Sequence, residues 1–467
     1  MRKTPLLPLV AALIVSTAAQ AAPQAGEAPA LGFDRTTQDQ IVNNQLSFKD
    51  IRKAGLKIFA TPFNRLDGYG DGPVNILDTT SPGGRPTLQN NGTFLRVNGL
   101  DSQTCQECHS VGSNATVPFT FAIGGAGGSN NNAIFQPTDI DVDDSDGNGF
   151  AAFNGRYINP PFLFGAGGVE LVGKEMTVIL QRHKYRAKNH PDQVISLNAK
   201  GVNFGTLVFD SGTSTFDYSG LSGIRHDLVV RPFGRKGEFV STRSFDQGAM
   251  RFHLGMEPVE VVGPGIDGDN DGVVDEVLIG EMSALHVFAT NLERPVVRDP
   301  NHVTAAGSAL FASVGCANCH KPLLKTGRRK LPYSFPESET EPFTNVYYRA
   351  NLHSGPAKFA RTHRGGLRIP LFSDLKLHDM GAGLAEDFGS EDDALFITAR
   401  LWGIADTAPY LHDGRALTLT DAIAAHGGEA AGASANFSNL VDADKVLLLS
   451  FLRTLRTPKN PAHDLLR

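Results

Sequence analysis

Four cysteines, and no others, constrain what this chain can become. They fall in two copies of one pattern, Cys105-Gln106-Glu107-Cys108-His109 and Cys316-Ala317-Asn318-Cys319-His320. In C-x-x-C-H the two thiols add to the two vinyl groups along one porphyrin edge, and the adjacent histidine reaches the iron. A zinc site would have to bring two distant half-sites around one metal. Structural disulfides would not place a histidine after the second cysteine both times. The implied cofactors are therefore two covalently bound haem c groups, with His109 and His320 as proximal ligands.

The N-terminus reads as an export signal. Arg2 and Lys3 give a positive start, an apolar run follows from Leu6 to Val15, and Ala19-Gln20-Ala21 forms an A-x-A cleavage pattern. That run is too short to span a bilayer. Residues 1–21 are expected to be removed, and the protein is expected to be periplasmic or secreted, the compartment where c-type haem is attached. No later segment reads as transmembrane. The formal net charge of −6, with no long basic block, argues against nucleic acid as a partner.

The expected fold is mainly α and loop-rich, since 50 glycines and 27 prolines punctuate regular structure. Thr304 to Val314 reads as a short helix delivering Cys316. Ala443 to Leu455 reads as a terminal amphipathic helix stopped before Pro458. Val277 to Leu292 is similar to it, with Phe288, Leu292 and Pro295 spaced like Phe451, Leu455 and Pro458. Two cytochrome c-like domains are expected, residues 22–295 and 296–467. The first carries insertions, and the alternation over Val194 to Tyr218, with a turn at Asp210-Ser211-Gly212, predicts a small β element there.

The run from Leu401 to Ala430, containing Trp402, Tyr410-Leu411-His412-Asp413-Gly414 and His426, resembles the second-haem region of bacterial di-haem oxidoreductases often called thiol-oxidoreductase-like. That group is related to di-haem cytochrome c peroxidases and to the di-haem enzyme that matures methylamine dehydrogenase. Leu377-His378-Asp379-Met380-Gly381 is also similar. Asn159 to Gly165 and Phe233-Gly234-Arg235-Lys236-Gly237 resemble it more loosely. The family usually has Trp where Arg235 stands, and the one tryptophan here is Trp402. The resemblance implies one low-spin haem that relays electrons and one that meets peroxide or oxygen. A small redox protein or a quinol-linked donor would supply the electrons.

For the second haem, the peroxidases place the distal ligand fourteen residues after the His of Tyr-x-His-Asp-Gly, which here is His426. Met380 is the competing ligand, and it would raise the potential. His412 is expected near the haem, orienting a propionate or a loop. After His109 there is no Met before Met176 and no His before His183. The nearby distal histidine of the peroxidases is absent, so an open iron is expected at the first haem. Gln247 and Glu257 have the spacing of the peroxidases' distal Gln and Glu, and His253 lies between them. A carboxylate such as Glu257 over the iron would move a proton between the peroxide oxygens, and His253 would do similar work.

Asp267-Gly268-Asp269-Asn270-Asp271-Gly272 opens like a calcium loop, with Asp275 and Glu276 shortly after it. Leu278 holds the twelfth position, so an EF-hand is not expected. A calcium site competes with a solvated acidic turn. Asp139, Asp141, Asp143 and Asp146 form a weaker second set. The favoured function is a peroxidase-like di-haem enzyme. The alternatives are a pure electron-transfer cytochrome and a di-haem oxygenase, whose dry pocket Phe119, Phe121, Phe162 and Phe164 would line. With all four cysteines in the two motifs, none is left for thiol exchange.

Overall fold

The computed structural model describes residues 27–70, 102–109, 134–141, 152–298, 300–386, 390–459 and 461–466. The export segment, Phe119, Phe121, Asp143 and Asp146 lie outside the described residues. Asp139 and Asp141 fall on a strand of which only the backbone is described.

Two helix crossings organise the chain, and each turns on a glycine. Ser47 caps the helix Phe48–Ala60 and exchanges hydrogen bonds with Asp50 in a capping box. That helix packs across Ile279–Thr290. A Cβ on Gly55 would sit 2.1 Å from the Ala284 carbonyl oxygen and 2.5 Å from the Phe288 Cβ, so only glycine permits this approach. In the second unit Asn301 caps His302–Ser313, which packs across Asp442–Leu452. A Cβ on Gly307 would meet the Leu447 carbonyl oxygen at 2.1 Å and the Phe451 Cβ at 2.8 Å. Phe288 and Phe451, matched by spacing in the sequence, thus both face a glycine at a crossing. Leu292 and Leu455, their matched followers, are both buried.

Each crossing sits beside a C-x-x-C-H turn. His302–Ser313 runs through Gly315, at φ +105, into the short turn Cys316–Asn318. In the first unit, the Thr104 hydroxyl donates to the Phe59 carbonyl at 2.9 Å and the Phe63 N–H donates to Gln103 at 3.0 Å. These bonds bring the turn Cys105–Glu107 back onto the end of Phe48–Ala60.

The predicted β element is present as a three-stranded antiparallel sheet of Ile195–Ala199, Val202–Asp210 and Thr215–Asp217. The mainly-α expectation holds only in part. Helix makes up 36% and strand 14%, and the strands are spread over six small sheets among the described residues. Buried loop backbone needs hydrogen-bond partners, and short ladders supply them. One such ladder pairs Val296–Val297, just after the expected domain boundary, with Leu455–Arg456, just after the helix Asp442–Leu452.

The largest apolar core draws on both sides of Pro295. It joins the helix Ala166–Asn189 and the three-stranded sheet to Leu324, Leu331, Tyr333, Phe359, Leu371 and Trp402. The helix Ile279–Thr290 is buried nearly all round, so it runs through the interior rather than along a surface. Among the described residues no helix is long and apolar enough to cross a membrane.

Candidate functional site

The second C-x-x-C-H turn presents His320 opposite His426. Their ring centroids lie 6.3 Å apart and the planes are inclined by 56°. His320 Nδ1 lies 3.1 Å from the carbonyl oxygens of both Phe372 and Ala399. His426 Nδ1 lies 2.7 Å from the carbonyl of Ala422. A carbonyl only accepts, so each Nδ1 carries the proton and each Nε2 keeps its lone pair. Burial pushes His320 down to about 4, helped by the nearby His426, and burial lowers His426 as well. Both are therefore neutral, the form that binds iron. Two metal–nitrogen bonds of about 2 Å, each continued by about 1.1 Å to a ring centre, span about 6.2 Å. The observed separation fits a metal held between the two rings, and Phe311, Phe372 and Phe451 form an aromatic wall behind them.

Of the other residues predicted for this region, Met380 lies beside that pair and His412 has partners of its own. The Met380 carbonyl is 2.8 Å from where a Cβ on Gly427 would stand, so Met380 lies beside the His426 turn. His412 stacks on Phe396 at 4.4 Å, and burial pushes it down to about 4. Its carbonyl accepts the Asn159 N–H at 2.8 Å, while the Asn159 amide donates to Pro409 and Leu411. Two segments singled out separately in the sequence, one in each unit, are thus bonded together.

His378 has no role legible in the sequence. Its Nε2 lies 3.0 Å from Asp374 Oδ2 and its Nδ1 lies 2.8 Å from Glu429 Oε2. Burial would lower it, but bonds to Asp374, Cys319 and Glu429 prevail and raise it to about 10.

At the first motif His109 is half-buried, and its buried Nδ1 has no hydrogen-bond partner. Burial, then the nearby His253, pushes it down to about 4. Cys105 packs on a cluster that includes Phe63, Phe164, Met250, Met256 and Leu285. An apolar pocket around an orphaned imidazole fits a porphyrin bound through Cys105 and Cys108. His253 rides a π-helical turn, Met250–Leu254, that continues from Thr242–Ala249 and ends at Gly255, φ +67. Such turns re-aim side chains and recur at functional sites. Asp246, on the same helix, has a buried Oδ2 with no partner. Burial, aided by Glu170 and Glu260, holds its carboxyl well above the usual range. Asp246 in turn helps burial push the Cys105 thiol up to about 12.

Gln247 and Glu257, paired by spacing in the sequence, are not partners in the structure. The Gln247 amide donates to Glu260, whose buried carboxylate is also held by Arg243, with Nε 3.1 Å from each oxygen. Glu257 instead accepts the Gly268 N–H at 2.7 Å. It forms a group with Asp269 and Glu276 whose ligand atoms lie within 4.8 Å of one another. Asp267, Asp269 and Asp271 form a second such group. Asp275 is in neither and accepts the Gly265 N–H at 2.7 Å. Burial, with Asp269, Asp271 and Glu257 close by, pushes Glu276 up to about 9.

A buried ionic network lies between these regions. Glu170 accepts from the Thr242 N–H at 3.1 Å and contacts His286 at 3.0 Å and Lys174 at 2.9 Å. Lys174 also reaches Glu337 at 3.3 Å. A glutamate in the apolar first turns of Ala166–Asn189 and a histidine in the largely apolar helix Ile279–Thr290 were the available signal for it. Arg235 binds Glu386 at 2.6 Å. Trp402 lies against Gly165, where a Cβ would come within 2.8 Å of the indole, and packs beside Phe359.

Residues 357–455 match the family model described as "Di-haem oxidoreductase, putative peroxidase". That segment contains Met380, His412 and His426, and over it the resemblance read from Leu401 to Ala430 is borne out. No curated protein matches the chain. Among solved structures, hydrazine synthase of Kuenenia stuttgartiensis, studied under xenon pressure, aligns at 19% identity and a TM-score of 0.22. The alignment covers 38% of this chain and 55% of that one, so this chain spans little more than half of that relative's length. A MauG-like protein associated with microbial copper homeostasis aligns at 16% identity and a TM-score of 0.27. That alignment covers 62% of this chain and 89% of the other. At these scores neither alignment bears on the chemistry of this chain.

Proposed function

We propose that this chain, a di-haem oxidoreductase-family sequence over residues 357–455, is a peroxidase-like di-haem c-type redox enzyme. Cys105, Cys108 and His109 would hold haem 1, the haem that would meet peroxide or oxygen. Cys316, Cys319 and His320 would hold haem 2, which would supply the electron relay. The observation that supports this division is the His320–His426 pair, set at the separation of two axial ligands. His320 and His426 would together hold a metal from both sides and leave no place for an oxidant, which supports giving the oxidant to the haem that Cys105, Cys108 and His109 would hold. His426 is then the sixth ligand of haem 2, in preference to Met380.

Each haem, when bound, supplies an iron that exchanges one electron at a time. The protein's own contribution is to manage protons and exclude water. His253, close enough to His109 to depress its pKa, is placed to take a proton from an incoming peroxide and return it. Asp246, kept neutral by burial, holds a second proton beside the Cys105 turn. Gln247 and Arg243 fix Glu260, and Phe164 closes the apolar side. Electrons enter from a small redox protein or a quinol-linked donor. The export signal and the haem-attachment motifs together support a periplasmic or secreted site of action.

Electron paramagnetic resonance of the oxidised holoprotein tests the reading, before and after one-electron reduction and then with peroxide. One high-spin and one low-spin ferric signal are expected, the high-spin signal vanishing when peroxide is added. Two low-spin signals indifferent to reduction and peroxide would make the protein an electron carrier.

A further inference from the structure

We infer that Glu257, Asp269 and Glu276 together bind one calcium ion. This donor set differs from the one the loop's sequence pattern suggests, which would run from Asp267 through Asp269 and Asp271 to Asp275. Asp275 turns away to cap Gly265. Its neighbour Glu276 takes its place from the other side of the loop, and Glu257 arrives from the stretch of chain after the π-helical turn. Ligand atoms from the three side chains lie within 4.8 Å of one another.

Acidic side chains often cluster without an ion, and a second feature sets this group apart. Glu276 is 2% exposed, and its Oε1 is buried with no hydrogen-bond partner. Its other oxygen, Oε2, accepts the Glu257 N–H at 2.6 Å, which locks the carboxylate in place against its two acidic neighbours. Asp269 is also 2% exposed. An unpaired, buried carboxylate oxygen beside two further carboxylates is costly unless a cation stands among them. Oxygen donors alone select a hard cation. Three carboxylates gathered by protein, with the loop carboxylates of Asp267 and Asp271 grouped with Asp269, suit the larger and more flexible shell of calcium. Magnesium usually keeps most of its waters and one or two carboxylates.

The site lies where three parts of the first unit meet. Gly68, at φ +90, packs directly on Glu276, where a Cβ would come within 2.3 Å of its side chain. The neighbouring Gly70 N–H donates to Leu254 at 3.0 Å, at the end of the turn that carries His253. Pro258 bridges in parallel to Val277, and the Val259 N–H donates to the Val277 carbonyl at 2.9 Å. A bound cation therefore ties the segment after His253 to the entrance of the buried helix Ile279–Thr290.

The test uses the holoprotein stripped with a chelator and titrated calorimetrically with calcium chloride, and separately with magnesium chloride. One calcium per chain is expected, with a dissociation constant at or below about 1 mM, magnesium binding more weakly, and a melting temperature that rises with calcium. E276Q and D269N are each expected to weaken calcium at least tenfold and to erase the rise in melting temperature, while D275N leaves affinity within threefold of the parent. Without calcium, E276Q is expected to melt at or above the parent, because an amide replaces a buried carboxyl that burial and its acidic neighbours already hold protonated, so weakened binding is not a folding defect. If a variant fails to fold, E257Q decides in its place. No saturable calcium binding by the stripped parent, tighter magnesium than calcium, or parental affinity in E276Q and E257Q would each overturn the proposal.

Discussion

His320 and His426 face each other with ring centroids 6.3 Å apart, and each spends its Nδ1 proton on a backbone carbonyl. That arrangement leaves both Nε2 atoms for one metal between them. Replacing His426 with alanine is expected to abolish the low-spin ferric signal of haem 2 while leaving both haems attached. M380A is expected to leave the signal intact. Pyridine haemochrome content and low-temperature electron paramagnetic resonance check this. Loss of the low-spin signal in M380A and its survival in H426A would assign the ligand to Met380.

His253 and Asp246 carry the second prediction. H253Q is expected to slow the reaction with peroxide by about 10²–10⁴-fold, without changing haem content or the haem 2 signal. Asp246 tests the same pocket through stability. Its carboxyl sits well above the usual range because burial disfavours the charged form. A carboxyl raised in the folded state costs stability as pH climbs from its unfolded value near 3.8 toward the raised value. D246N removes that cost. Its gain in melting temperature is expected to grow with pH above 4, and a gain that does not change with pH would mean that Asp246 is already ionised.

The features legible in the sequence were local ones. The C-x-x-C-H spacing, the matched Phe288 and Phe451, the alternation over Val194 to Tyr218, and the fourteen-residue step to His426 all depend on distances along the chain. The partners that were missed are set by tertiary packing instead. Glu170 and His286 are 116 residues apart, and His378 meets Glu429 across 51. Gln247 reaches past Glu257 to Glu260 because the π-helical turn inserts between them and redirects the chain beyond it. The Asp267–Asp275 pattern pointed to the right loop, but Glu257, outside the pattern, joins its carboxylates.

Gly55 and Gly307 carry the third prediction. In each, an added Cβ would press on a backbone carbonyl oxygen 2.1 Å away, which cannot swing aside as a side chain can. G55A and G307A are each expected to destabilise by about 1–3 kcal/mol. Gly432, in the helix Ala431–Ser438, has nothing within 4 Å of an added Cβ. There alanine is expected to be neutral or to stabilise by up to about 1 kcal/mol, from helix propensity alone. Thermal denaturation of the three holoproteins separates the cases. An unchanged melting temperature in G307A would mean that the two helices have room to part at this crossing.

His378 gives a prediction in pH. Burial works against its charge, but Asp374, Cys319 and Glu429 hold the proton and raise the group to about 10. Once Cys319 is bound to haem its share weakens, while the two carboxylates remain at 3.0 and 2.8 Å. A histidine raised in the folded state adds stability that is fully present below its unfolded value of about 6.5 and is lost as pH rises through the folded value. H378Q keeps much of the shape and removes the charge. The parent is expected to exceed H378Q by about 2 kcal/mol at pH 6, with the gap closing toward pH 10. Chemical denaturation of both proteins across that range measures it. A gap that stays constant would show that His378 is neutral in the folded protein, and that Asp374 and Glu429 do not hold a shared proton against burial.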